Sequence, residues 1–139
     1  MSELAWKKAQ EDVKKALARV VRKDFLFKPF TDTYAAGGRV VQDQPSDFWA
    51  LDQGRYYVLE VKSCHQNRFP FKDIRPSQMI AARRVPAAGG FSRFILTKLP
   101  DKLWFRMDGE LVYQMHQAGE RSVPWELMTP IKLTWEEIA

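Results

Sequence analysis

Two short runs of aromatic and branched residues, Asp47-Phe-Trp-Ala-Leu51 and Arg55-Tyr-Tyr-Val-Leu-Glu-Val-Lys62, stand on either side of the turn signal Asp52-Gln53-Gly54. Such runs, joined by so short a polar break, predict a hairpin of two strands. The hairpin makes Asp47 a neighbour of Glu60, thirteen residues further on. Side chains alternate faces along a strand, so Glu60 and Lys62 point the same way while Val61 turns into the core. One face of the hairpin therefore carries two acids and a base among apolar residues.

Two carboxylates held together repel, and one stays protonated unless a cation sits between them. Magnesium suits such a site, because it takes oxygen ligands and keeps several waters; manganese is the expected substitute. Asp47, Glu60 and a backbone carbonyl, that of Val61, would suffice from the protein. The ion would lower the pKa of a bound water and neutralise charge on a phosphate, with Lys62 orienting that water or steadying the transition state. This is the chemistry of phosphodiester hydrolysis. The plain alternative is that Asp47 caps a strand and that Glu60 and Lys62 form an exposed pair. Taken alone, the spacing Asp-x12-Glu-x-Lys favours that alternative. The apolar setting, Phe48 to Leu51 and Tyr57 to Leu59, reverses the preference.

A chain of 139 residues, 45% hydrophobic, 28% charged and 13% aromatic, has the size and composition of a single globular domain spanning 1–139. No apolar run approaches the roughly 20 residues needed to cross a bilayer, and Lys7 and Lys8 interrupt any signal-peptide core, so a cytoplasmic protein without a membrane partner is expected. Cys64 has no second cysteine to pair with, and no thiol or histidine cluster suggests zinc. A net charge of +5 favours a polyanionic partner, since neutralising phosphates releases counterions.

Trp6, Ala9, Val13, Leu17 and Val20 recur at three- and four-residue steps, which predicts a helix from Glu3 to about Lys23. Thr31 to Ser46, with Ala-Ala-Gly-Gly at 35–38, reads as a long mobile loop, a kind of segment that is usually functional in a compact domain. A helix is expected from Pro76 to Arg84, ended by Gly89-Gly90, with further strands at Phe91 to Thr97 and Lys102 to Met107. Asp108-Gly109 is a strong turn signal, so Glu110 to Met115 is expected to be the returning strand of a trailing hairpin. The resulting order is helix, strand, strand, helix, strand: an α/β core.

The same residues resemble the PD-(D/E)XK nucleases, with Ser46-Asp47 at the PD position and Glu60-Val61-Lys62 as the (D/E)XK. Ser-Asp-Phe-Trp-Ala-Leu at 46–51, the Gly54 turn, Leu-Glu-Val-Lys-Ser at 59–63, Phe-Pro-Phe-Lys-Asp-Ile at 69–74, Gln78 and Phe91 to Leu96 are similar to the RecU branch of Holliday junction resolvases. The archaeal Hjc resolvases share that core. The resemblance spans about Lys7 to Thr97. It implies a restriction-endonuclease-like core, a mixed central sheet flanked by helices in αβββαβ order. It also implies a magnesium-dependent homodimer that cuts two opposed strands of a four-way DNA junction symmetrically.

The chain departs from the family pattern at several positions. Ser46 stands where the family has proline, with Pro45 one place earlier. These resolvases usually carry a further acid on the first helix; Glu11 is the nearest candidate, Gln10 fits the position equally, and Glu11 otherwise pairs with Lys7 and Lys15. The loop from Thr31 to Gln44 would replace the family's projecting stalk. The resemblance gives Gln78 a role beside the bound water or a phosphate, against the bland reading of a solvated residue near a helix start. Thr31, Thr33 and Arg39 in the loop, with Lys72 and Arg75 and then Arg83, Arg84 and Arg93, are the candidate phosphate contacts. His65 is expected at the surface, and the five tryptophans in packing. The segment from about 116 to 139 either completes the core or covers a dimer partner. Two rival readings share the fold: another PD-(D/E)XK repair nuclease, VRR-NUC-like and acting on flap or duplex DNA, and a noncatalytic DNA-binding protein.

Overall fold

The computed structural model describes residues 2–30 and 44–139, with side chains from residue 5 onward. The first helix, α1 (Ser2–Ala18), buries Ala9, Val13, Ala16 and Leu17. Val13 and Leu17 are fully enclosed, and each such side chain contributes about 1.5–3 kcal/mol by leaving water. The helix stops short of the expected Lys23, and Phe25–Pro29 forms a strand, β1, that the residue pattern does not announce.

The remaining elements follow in chain order. They are β2 (Phe48–Asp52), β3 (Arg55–Cys64), β4 (Arg68–Pro70), a 3-10 turn at Phe71–Asp73, α2 (Pro76–Ala87), β5 (Phe91–Lys98) and β6 (Leu103–Asp108). After these come α3 (Gly109–Gln117), β7 (Ser122–Pro124), a second 3-10 turn at Trp125–Leu127, β8 (Thr129–Ile131) and α4 (Trp135–Ile138). Six strands make one sheet in the order β1-β2-β3-β5-β6-β8, and β4 pairs with β7 in a small second sheet. Among the described residues only β3 and β5 run parallel, joined through α2, and the other pairs are antiparallel. The αβββαβ order of the expected fold is thus α1, β1, β2, β3, α2 and β5, with β4 as an insertion before α2.

Strand alternation assigns the faces of the sheet. Tyr57, Leu59 and Val61 of β3 join Ala9, Val13 and Leu17 of α1 in one buried cluster. Phe94, Leu96 and Met107 join Ala82 of α2 and Val112 of α3 in the other. Glu60 and Lys62 alternate with Val61 and so face the second side, toward the start of α2. The C-terminal segment contributes to both halves: Val123, Trp125 and Met128 enter the second cluster, Trp135 and Ile138 the first.

One expectation fails. Glu110 to Met115 is not a returning strand but part of helix α3. The Asp-Gly pair signals a hairpin when glycine adopts positive φ, as Gly54 and Gly89 do here; Gly109 does not. Gly109 is needed for a close approach instead, since a Cβ there would collide with the Ser92 side chain and lie 3.2 Å from the Ala82 backbone. The missing side chain lets α3 begin directly against β5 and α2. Among the described residues, no helix is long and apolar enough to cross a membrane.

Candidate active site

Gln53 and Gly54 both have positive φ, 52° and 82°, and close a two-residue turn that pairs Asp52 with Arg55. That turn sets the register of the whole hairpin, ending at Phe48 opposite Leu59. One step further the ladder slips out of this register: the Asp47 N–H donates to the Leu59 carbonyl at 3.1 Å, and the Asp47 carboxyl meets that of Glu60 in a side-chain hydrogen bond. The hairpin opens beyond this point. There the Val61 N–H donates to Asp47 Oδ2 at 2.7 Å, and Gln10 of α1 reaches across to donate from Nε2 to Asp47 Oδ1 at 2.9 Å.

Glu60 is 3% exposed. Its Oε2 accepts from Gln78 Nε2 at 2.7 Å and lies 3.3 Å from Lys62 Nζ. Gln78, equally buried, is itself held: its Oε1 accepts the Arg75 backbone N–H at 2.9 Å, the contact that a glutamine three residues after a helix N-cap makes in a capping box. The side chain therefore anchors the helix start with its oxygen and aims its amide nitrogen at Glu60. Lys62 Nζ donates to the Asp73 carbonyl at 2.8 Å, which fixes the ammonium between the 3-10 turn and Glu60.

The electrostatics follow from burial. Desolvation, reinforced by the Asp47 charge, pushes the Glu60 carboxyl up to about 8, and Lys62 and Arg75 offset this only in part. Burial also raises Asp47, opposed by the Val61 N–H, the Lys62 charge, a hydrogen bond with the Glu60 carboxyl and Arg75. Glu60 Oε1 is buried with no donor facing it. When ionised that oxygen is unsatisfied; when protonated it can share its proton with Asp47. A divalent cation would take the place of that proton, so the donor set fits one. Among the described residues no group of three or more His, Cys, Asp or Glu comes together. The protein's share would thus be two carboxylates and a backbone oxygen, a set that suits magnesium with water and phosphate in the remaining positions.

The other expected residues divide. Glu11 is exposed, and the contact from the first helix to Asp47 is made by Gln10. Lys72 and Arg75 are exposed at the approach to α2, and the Arg75 charge acts on both carboxylates. Thr31, Thr33 and Arg39 lie outside the described residues, as does the expected loop up to residue 43. His65 is at the surface. The Asp73 carbonyl that holds Lys62 is a backbone atom, so residue type gives no sign of it.

The model of the recombination protein U family, RecU, matches residues 13–136. The chain belongs to the RecU family. The match takes in Asp47, Glu60, Lys62 and Gln78 and begins just after Gln10. Among RecU proteins, the Holliday junction resolvase RecU of Ureaplasma parvum is 25% identical over 104 residues, covering 74% of this chain and 61% of that protein. The chain therefore spans about three fifths of the length of that curated relative. In fold it is similar to Hjc, a Holliday junction resolvase from the archaeal hyperthermophile Archaeoglobus fulgidus, with a TM-score of 0.57 at 17% identity over 89% of this chain and 94% of that one. The resemblance to the RecU branch and its mixed-sheet fold is borne out.

Proposed function

We propose that this chain is a magnesium-dependent endodeoxyribonuclease that resolves four-way DNA junctions by paired, symmetric cuts. In this reading it acts in the cytoplasm as a homodimer with one active site per subunit, matching the approximate two-fold symmetry of the junction. The observation that carries the reading is the carboxylate pair of half-buried Asp47 and buried Glu60 beside Lys62, with Glu60 Oε1 unsatisfied. Membership of the RecU family, one of whose members is named a Holliday junction resolvase, supports a four-way junction as the substrate.

Asp47, Glu60 and the Val61 carbonyl would hold a divalent ion. A divalent metal in that place supplies Lewis-acid activation of water and neutralises charge on the scissile phosphate. Lys62, immobilised by Asp73 and Glu60, presents its ammonium to the attacking water or to a phosphate oxygen, where a preorganised charge needs no rearrangement during reaction. Gln78 keeps Glu60 in place. Lys72 and Arg75, with Thr31, Thr33 and Arg39, bind the DNA backbone. Asp47→Asn and Glu60→Gln should each abolish cleavage of a labelled four-way junction while leaving its binding within a few-fold, because affinity comes mainly from the phosphates that Lys and Arg neutralise. Cleavage that survives both substitutions would refute the assignment.

A further inference from the structure

We infer that Lys7 and Lys14 on α1 form the second basic wall of the DNA cleft, contacting backbone phosphates across the carboxylate pair from Lys72 and Arg75. The inference rests on the proposed nuclease function and adds a surface to it. The Gln10 contact with Asp47 shows which flank of α1 borders the site. At 3.6 residues per turn, Lys7 and Lys14 fall roughly 40–60° from Gln10 around the helix, away from the buried Ala9, Val13 and Leu17. Both lysines are exposed. Among the described residues neither makes an ion pair, whereas Lys8, on the far side, is tied to Asp12 at 3.0 Å, and Asp12 also holds Lys102 at 3.1 Å. Glu11, the acid on the same flank, is exposed and among the described residues forms no ion pair with either lysine. The indole of Trp6, 40% exposed, lies under the Lys7 ammonium at 5.8 Å and supports it at the rim.

The two acids are thus set between two basic rims, Lys7 and Lys14 on one side, Lys72 and Arg75 on the other. Two carboxylates repel a phosphodiester, so cations on either side of the pair favour its approach; on the α1 flank these are the ammonium groups of Lys7 and Lys14, neither in an ion pair among the described residues.

The test is binding of a labelled four-way junction in chelator, where no cutting occurs, across a series of salt concentrations. The double variant Lys7→Gln/Lys14→Gln should bind several-fold more weakly, and the slope of log affinity against log salt should shrink by about 2, roughly 0.9 for each phosphate that is no longer neutralised. Lys15→Gln/Arg19→Gln removes the same charge away from the Gln10 flank, from the outer face of α1 and the residue just past its end, and should leave the slope unchanged. Equal slopes for the wild type and both double variants, or an equal weakening in both, would overturn the inference while wild-type cutting still stood. A wild type that neither binds nor cuts the junction would overturn the proposed function as well.

Discussion

Gln10 and Asp47 are joined by a 2.9 Å hydrogen bond across 37 positions of the chain, from the amide Nε2 of the first helix to Oδ1 of the carboxylate that opens the hairpin. This bond makes α1 part of the site as well as a cover for the sheet. Together with Gln78 it gives each carboxylate its own amide donor, one from each flanking helix.

Residues that hold a metal ligand from behind typically contribute about 10–100-fold to metal affinity or activity. Gln10→Ala should therefore weaken divalent-ion binding, measured by calorimetry on the DNA-free protein, by about tenfold. Glu11→Ala, at an exposed position, should change it by less than about twofold. The reverse ranking would show that Glu11 and not Gln10 serves the site.

Gln78→Leu removes a buried side chain that satisfies both the Arg75 N–H and Glu60 Oε2. Stranding such groups costs about 1–3 kcal/mol, so the denaturant midpoint should fall with an unchanged slope. Unaltered stability would mean that water replaces the amide at little cost.

The ionisation of Glu60 links stability to pH. In the metal-free protein its carboxyl titrates at about 8 against 4.5 for the ordinary group, so between these values the folded state keeps a proton that the unfolded state has lost. The stabilisation is fully present below the lower value and is lost as pH rises through the upper one. In chelator, the melting temperature should fall from about pH 6 to about pH 8, Glu60→Gln should flatten that slope, and saturating magnesium should raise the melting temperature most at the alkaline end. A metal-free melting temperature that climbs over this interval would contradict the electrostatics of the pair.

Gly109→Ala places a methyl group against Ser92 and Ala82 at the start of α3. Overpacking of this kind costs typically about 1–3 kcal/mol, and a drop of several degrees in melting temperature is expected. A neutral or stabilising result would mean that α3 can move outward without penalty.

The hairpin that carries Asp47 and Glu60 is legible in the sequence because several local signals agree there: strand alternation, a turn glycine with positive φ, and charges at positions where apolar neighbours leave them no ordinary role. β1 is not, since its five residues are partly exposed and end in Pro29, and its one partner among the described residues, β2, begins nineteen residues later. Asp108-Gly109 misleads because glycine is required there for want of space, and residue type does not say which of its two properties is in use. The choice between Gln10 and Glu11 is open in the sequence for a geometric reason. Periodicity identifies the buried stripe of α1, but which residue at its rim reaches Asp47 depends on where the hairpin opens, a tertiary fact.

The most direct test is cleavage of a labelled four-way junction beside a matched duplex and a flap, in magnesium and in chelator. Paired symmetric nicks confined to the junction, present with magnesium and absent with chelator, are the predicted result. Metal-dependent cutting of duplex or flap as fast as the junction would contradict the junction specificity, and no metal-dependent cutting of any of the three would contradict the assignment of Asp47, Glu60 and Lys62 as a nuclease centre.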